Sequence, residues 1–164
     1  MIKHCFLILL FILTTQLQAQ IIYSLKWKAE IANTDAKTYK IILELIPDTA
    51  FYTVSMFDDT KALLPITIDL KEDKNLLLMG EWIENPRSIL SHHDALHIDG
   101  KFIKERTTYT RAFKLKRGGI FVTKFQLSFW EISDNIALPP RDINFEIYRL
   151  KGLLKIRQLK KNSQ

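Results

Sequence analysis

The stretch that decides the fold runs from Phe129 to Phe145, FWEISDNIALPPRDINF. An apolar strand enters the polar turn Ser133-Asp134-Asn135, the stop Leu138-Pro139-Pro140 follows, and an alternating strand leaves with Ile143, Phe145 and Ile147. Neither proline can donate a ladder hydrogen bond, so the pair belongs outside central strand pairing. The same period of two recurs upstream. From Tyr23 to Ile31 the odd positions are Tyr, Leu, Trp, Ala and Ile, set against Ser24, Lys26, Lys28 and Glu30, which is the pattern of a half-buried antiparallel strand. After a turn at Asn33-Thr34-Asp35, Tyr39, Ile41, Leu43 and Leu45 repeat it on a strand whose second face is only half polar. Short strands are expected again at Ile66 to Leu70, Leu76 to Met79, Phe102-Ile103 and Tyr109 to Leu115. Past the turn Arg117-Gly118-Gly119, Phe121, Phe125, Leu127 and Phe129 line one face of a last long strand before the hairpin. No helical period persists through this body, and six to nine short strands with turns between them read as an all-β antiparallel sandwich.

The hairpin resembles that of the N-terminal domain of the thiol:disulfide interchange protein DsbD family, whose pattern is close to Cys-Asn-Asp-x-x-Cys-Leu-Pro-Pro. Asp134, Leu138, Pro139 and Pro140 fit it, while Ile132 and Ala137 stand where the two cysteines belong and Ser133 replaces the asparagine. Ala50 to Ser55, AFYTVS, stands at the family's Gly-Trp-His-x-Tyr-Ser segment, with Phe51 at the tryptophan, Tyr52 at the histidine and Ser55 kept. Phe51 reads as a core plug. Asp94 and His97 fall at the aspartate and the aromatic residue of the family's cap loop. The resemblance implies an immunoglobulin-like sandwich with a docking surface at Asp94, His97, Trp130, Ile132, Asp134, Ala137, Leu138 and Pro139. It implies partners in the cell envelope, thioredoxin-like proteins among them. Disulfide exchange needs an attacking thiolate, which neither Ile132 nor Ala137 supplies. The chain is therefore expected to bind and not to catalyse, with no cofactor and no resident metal.

The ends bound the cellular setting. Residues 1–19 carry a short basic start, the apolar run CFLILLFIL and a polar exit, the form of a secretory signal peptide with cleavage expected after Ala19. A membrane-spanning helix needs roughly 20 apolar residues, more than this run offers. Cys5 is the one cysteine in the sequence and leaves with the signal, as does Lys3, so 23 basic residues remain against 18 acidic ones, a net charge of +5. Six of the basic residues lie between Arg149 and Gln164, where there is no acidic residue. The body is then nearly neutral, which argues against a nucleic-acid face. Residues 20–150 are expected to form the domain and 151–164 a basic tail, read as solvated and favouring solubility, with weak contact to anionic membrane surfaces as the other reading. The spacing of Leu153, Ile156 and Leu159 leans towards a short helix there, with a strand as the other reading.

An alternative function comes from Ser91 to Gly100, SHHDALHIDG. His92, His93 and His97 with Asp94 and Asp99 are metal-ligating types, and His93 and His97 share a face if the segment is helical. That would make the protein an exported metal carrier. Asp58 and Asp59, adjacent in a polar turn, read as solvated. Neither a GxSxG elbow nor an HExxH helix is present, so hydrolytic chemistry has no motif to stand on.

Overall fold

The computed structural model describes residues 24–35, 37–48, 50–116 and 121–160. The expected signal peptide, Cys5 and the turn Arg117-Gly118-Gly119 lie outside these. The strands are β1 (Lys26–Asn33), β2 (Thr38–Ile46), β3 (Thr53–Val54), β4 (Thr67–Asp69), β5 (Leu76–Asn85), β6 (Leu90–His93), β7 (Ile98–Ile103), β8 (Thr107–Leu115), β9 (Val122–Phe129), β10 (Arg141–Leu150) and β11 (Leu153–Gln158). No helix among the described residues is long and apolar enough to cross a membrane.

One sheet has the order β1-β2-β8-β5, a second β11-β10-β9-β4 and a small third β3-β7-β6, with antiparallel pairing throughout. Alternation explains how the two large sheets meet. Ile41, Leu43 and Leu45 of β2 with Tyr109 and Phe113 of β8 face Phe125, Leu127 and Phe129 of β9 with Ile143, Phe145 and Ile147 of β10 in one core. Trp27 reaches across the gap to Phe129, ring centroids 5.6 Å apart, and Phe125 stacks on Phe145 at 5.2 Å. Two antiparallel sheets sharing one apolar interior are the architecture of immunoglobulin-like sandwiches. Phe51 packs against this core half-buried, as a plug should.

Three expectations change. The strand opening at Leu76 does not stop at Gly80. A bulge between Met79 and Ile83, with Gly80 at a φ of 62°, lets β5 continue to Asn85. The basic tail after Leu150 is no tail as far as Gln158, and it is not helical. Lys151 and Gly152 take positive φ values of 50° and 82°, the two-residue hairpin turn whose twist suits flanking strands. β11 then pairs with β10, and Leu154 and Ile156 settle on the core, so period two prevails over the three-residue spacing. Asp58 and Asp59 are not simply solvated either. Asp58 accepts the Lys101 amide at 2.8 Å, while Asp59 pairs with Lys101 Nζ at 3.0 Å, which ties their turn to β7.

Candidate functional site

At one end of the sandwich the chain between β9 and β10 folds back under the β6–β7 hairpin. Ile132 is the pivot. Its backbone exchanges two hydrogen bonds of 2.9 Å with Tyr52 and makes a second bridge to Ala137. Ser133 closes the turn, its hydroxyl accepting the Ile136 amide at 3.2 Å and its own amide reaching the Ile136 carbonyl at 2.8 Å. A short polar side chain is what such a turn needs. Behind it, the fully buried Glu131 accepts the amides of Ser24 and Leu25 on one carboxylate oxygen at 2.7 and 3.2 Å and Arg141 on the other at 3.1 Å. The turn is thereby clamped to the start of the described chain and to β10.

The Ile132 side chain is closed from solvent in a second, smaller core with Tyr52, Val54 and Phe102, against which Leu63, Ile98 and Trp130 pack. Phe102 meets Tyr52 edge-on at 5.7 Å and His93 at 5.4 Å. A Cβ at Gly100 would stand 2.9 Å from the Phe102 ring, so a larger residue there would have to displace that ring. His93, 4% exposed, closes the cluster from above. Its Nδ1 accepts the Leu96 amide at 3.1 Å, which leaves the ring proton on Nε2, hydrogen-bonded to the Tyr52 hydroxyl. Asp134 Oδ1 lies 3.7 Å from the same Nε2. The tips of the two hairpins, Asp94 to His97 and Ser133 to Ile136, therefore meet at one imidazole.

Of the residues singled out in the sequence, Trp130, Ile132 and Leu138 are buried or half-buried around this junction, whereas Asp94, His97, Asp134, Ala137 and Pro139 are exposed on its rim. The Trp130 indole nitrogen is buried, with no hydrogen-bond partner among the described residues. Tyr52 and Phe102 belong to the site and carried no functional signal in the sequence. The aromatic character of AFYTVS was visible, but nothing local couples position 52 to position 93, 41 residues away.

The metal arrangement does not assemble. The histidine segment is strand and turn instead of helix, so His92 and His93 project from opposite faces of β6 and His97 sits in the turn with a φ of 52°. His92 pairs outward with Asp99 at 2.8 Å. Among the described residues no three His, Cys, Asp or Glu side chains lie close enough to hold a metal ion.

The fold is similar to that of a DsbD N-terminal domain. A crystal structure of that domain from Neisseria meningitidis in the reduced form superposes with a TM-score of 0.46 and 13% identity, over 82% of this chain and 90% of that one. A likeness of that size leaves function to this chain's own residues. No family model and no curated protein matches the sequence.

What supports the site from below is a second buried carboxylate. Glu84 of β5 accepts the hydroxyls of Ser55 and Tyr109 on one oxygen, each at 2.6 Å, and the amide and hydroxyl of Ser88 on the other, each at 2.7 Å. Burial raises its carboxyl, and these bonds more than offset that, holding it below its ordinary value. Burial in turn pushes the Tyr109 phenol up, with the Glu84 carboxylate adding to the effect. Because Ser55 follows β3 and its amide bonds the Lys101 carbonyl at 2.8 Å, this network fastens the small sheet to the first large one. The site therefore rests on the sandwich through hydrogen bonds as well as apolar contact.

Proposed function

We propose that this chain is an exported, non-catalytic protein-binding module, a relative of the DsbD N-terminal domain without the cysteine pair, that engages an envelope partner through its two joined hairpin tips. The observation that carries the reading is His93, which holds Leu96 of one tip while its Nε2 faces Tyr52 and Asp134 below the other. Leu96 and Ile136, 38% and 49% exposed, stand on the two tips with Asp94 and Asp134 beside them. An apolar centre with an acidic rim suits a partner offering an apolar knob and a basic rim. Thioredoxin-like proteins are the class implied by the hairpin's resemblance. Ile132 and Ala137, where that family has thiols, leave disulfide exchange without a nucleophile, and the apolar leader at 1–19 supports export.

The test is covalent capture in intact cells. In a Cys5→Ser background, Ala137→Cys places one thiol on the rim, with Glu30→Cys on the outer face of β1 as the control. A discrete protein adduct at position 137, absent from the control and abolished by adding Ile136→Asp, is the expected result. Equal adducts at both positions, or none at either, would overturn the reading.

A further inference from the structure

The opposite end of β9 and β10 carries a different surface. Val122 pairs with Tyr148, which pairs on its other side with Lys155, and Leu150 pairs with Leu153. Residues directly opposite in a ladder share a face. The odd positions Ile143, Phe145 and Ile147 of β10 fill the core, so the even positions and their partners face outward. Val122, Tyr148, Leu150 and Leu153 therefore stand side by side on the outside, and the three aliphatic members are 50%, 46% and 66% exposed.

Cationic groups surround them. Lys124 and Arg157 flank Glu146 on the same face, Lys155 adjoins Tyr148, and Lys151 occupies the hairpin turn, all four exposed. Glu146 is matched by Arg157 at 2.5 Å, and that guanidinium also lies over the Tyr148 ring, 4.9 Å from its centroid. The charge left over on the patch is positive, from Lys124, Lys151 and Lys155.

We propose that this patch is a membrane-docking face for anionic phospholipid. Aliphatic and tyrosine side chains enter the headgroup boundary while lysines on flexible stems meet the lipid phosphates. The charge argues against a second copy of the chain, since a self-complementary contact would set the lysines of one protomer against those of the other. The face goes beyond the protein-binding reading and does not depend on it. Seven residue steps of strand separate the Val122 end of β9 from the Phe129 end, so the hairpin tips lie roughly 24 Å away from this face along the sheet.

Cosedimentation of the full chain with vesicles tests the proposal, with binding to mixed phosphatidylcholine and phosphatidylglycerol compared against phosphatidylcholine alone. The leader, its Lys3 included, is the same in every variant, so the change in anionic preference on substitution reads the patch. Preference for the anionic vesicles is expected, weakened by salt and reduced about fivefold per lysine, hence about 25-fold, in Lys151→Gln/Lys155→Gln. Leu153→Ser should weaken it further, whereas Lys28→Gln/Lys114→Gln on the first sheet should leave the preference unchanged. All substituted positions lie on exposed or edge surface, and an unchanged melting curve confirms folding. No anionic preference, or an equal loss in the two double variants, would overturn the proposal. So would lysine-dependent binding to polyglutamate without vesicle binding, which would mark the partner as an acidic polypeptide, or a Leu153-dependent dimer in sedimentation.

Discussion

Between the two large sheets, Ile41, Leu43, Leu45, Phe113, Leu127 and Phe145 are shut away from solvent in a continuous apolar core. Beneath the two hairpins, Tyr52, Val54, Phe102 and Ile132 are also buried, yet their roof is a histidine, a tyrosine hydroxyl and a carboxylate. The large core spreads its stabilisation over many residues on six strands of eight to ten residues. The small one lies under strands of two to six residues and depends on a few polar ties. Local opening concentrates where apolar contacts are few. The difference places the bulk of the stability in the sandwich and, on the proposed reading, recognition at its end.

The division is broken most directly in the large core. Phe129→Ala should lower the unfolding free energy by about 3–5 kcal/mol in denaturant titration, because a fully buried ring leaves a cavity at the sheet interface. If the loss were instead below 1 kcal/mol, roughly the scale of a single polar tie, the two regions would not differ in kind. Next comes the joint between them. Glu84→Ala should cost about 3 kcal/mol, since the hydroxyls of Ser55 and Tyr109 would be left buried without their acceptor. Glu84 also sets a pH dependence. Its folded carboxyl titrates below the ordinary 4.5, so its contribution is complete above that value and is lost as pH falls below it. Chemical denaturation from pH 6 to pH 3 should therefore be less steep in Glu84→Gln than in the native chain.

At the roof itself, His93→Phe removes the bonds to Tyr52 and Leu96 while keeping a ring over Phe102. A global loss of about 1–2 kcal/mol is expected. The sharper readout is hydrogen exchange, in which the amides of Leu96 and Ile132 should speed up more than those of β2 or β9. Uniform acceleration would merge the two regions into one cooperative unit. Ile136→Ser should have the smallest effect on stability, within about 0.5 kcal/mol for an exposed position, and should still abolish capture through Ala137→Cys.

Most of the sandwich was legible because alternation is local. A strand with one covered face needs apolar residues at alternate positions; Tyr39 to Leu45 shows this throughout, and Tyr109 to Leu115 and Phe121 to Phe129 show it with one break each, at Arg111 and Thr123. The candidate site was legible only in part. Trp130, Ile132 and Leu138 were expected at a surface and prove to be its buried footing, with Asp134, Ala137 and Pro139 forming the rim. Tyr52 was visible only as a replacement within an aromatic segment, and His93 only as a metal-ligating type.

The sequence by itself determined the class of fold, the place of the Leu-Pro-Pro hairpin and the absence of any thiol beyond Cys5, because each follows from residues read singly or two apart. Tertiary structure decided what long-range pairing decides. β11 is a strand because β10 offers it a ladder edge and the core takes Leu154 and Ile156. His93 joins two hairpins, because the chain brings Tyr52 and Asp134 to it from both sides along the sequence while turning His92 and His97 outward.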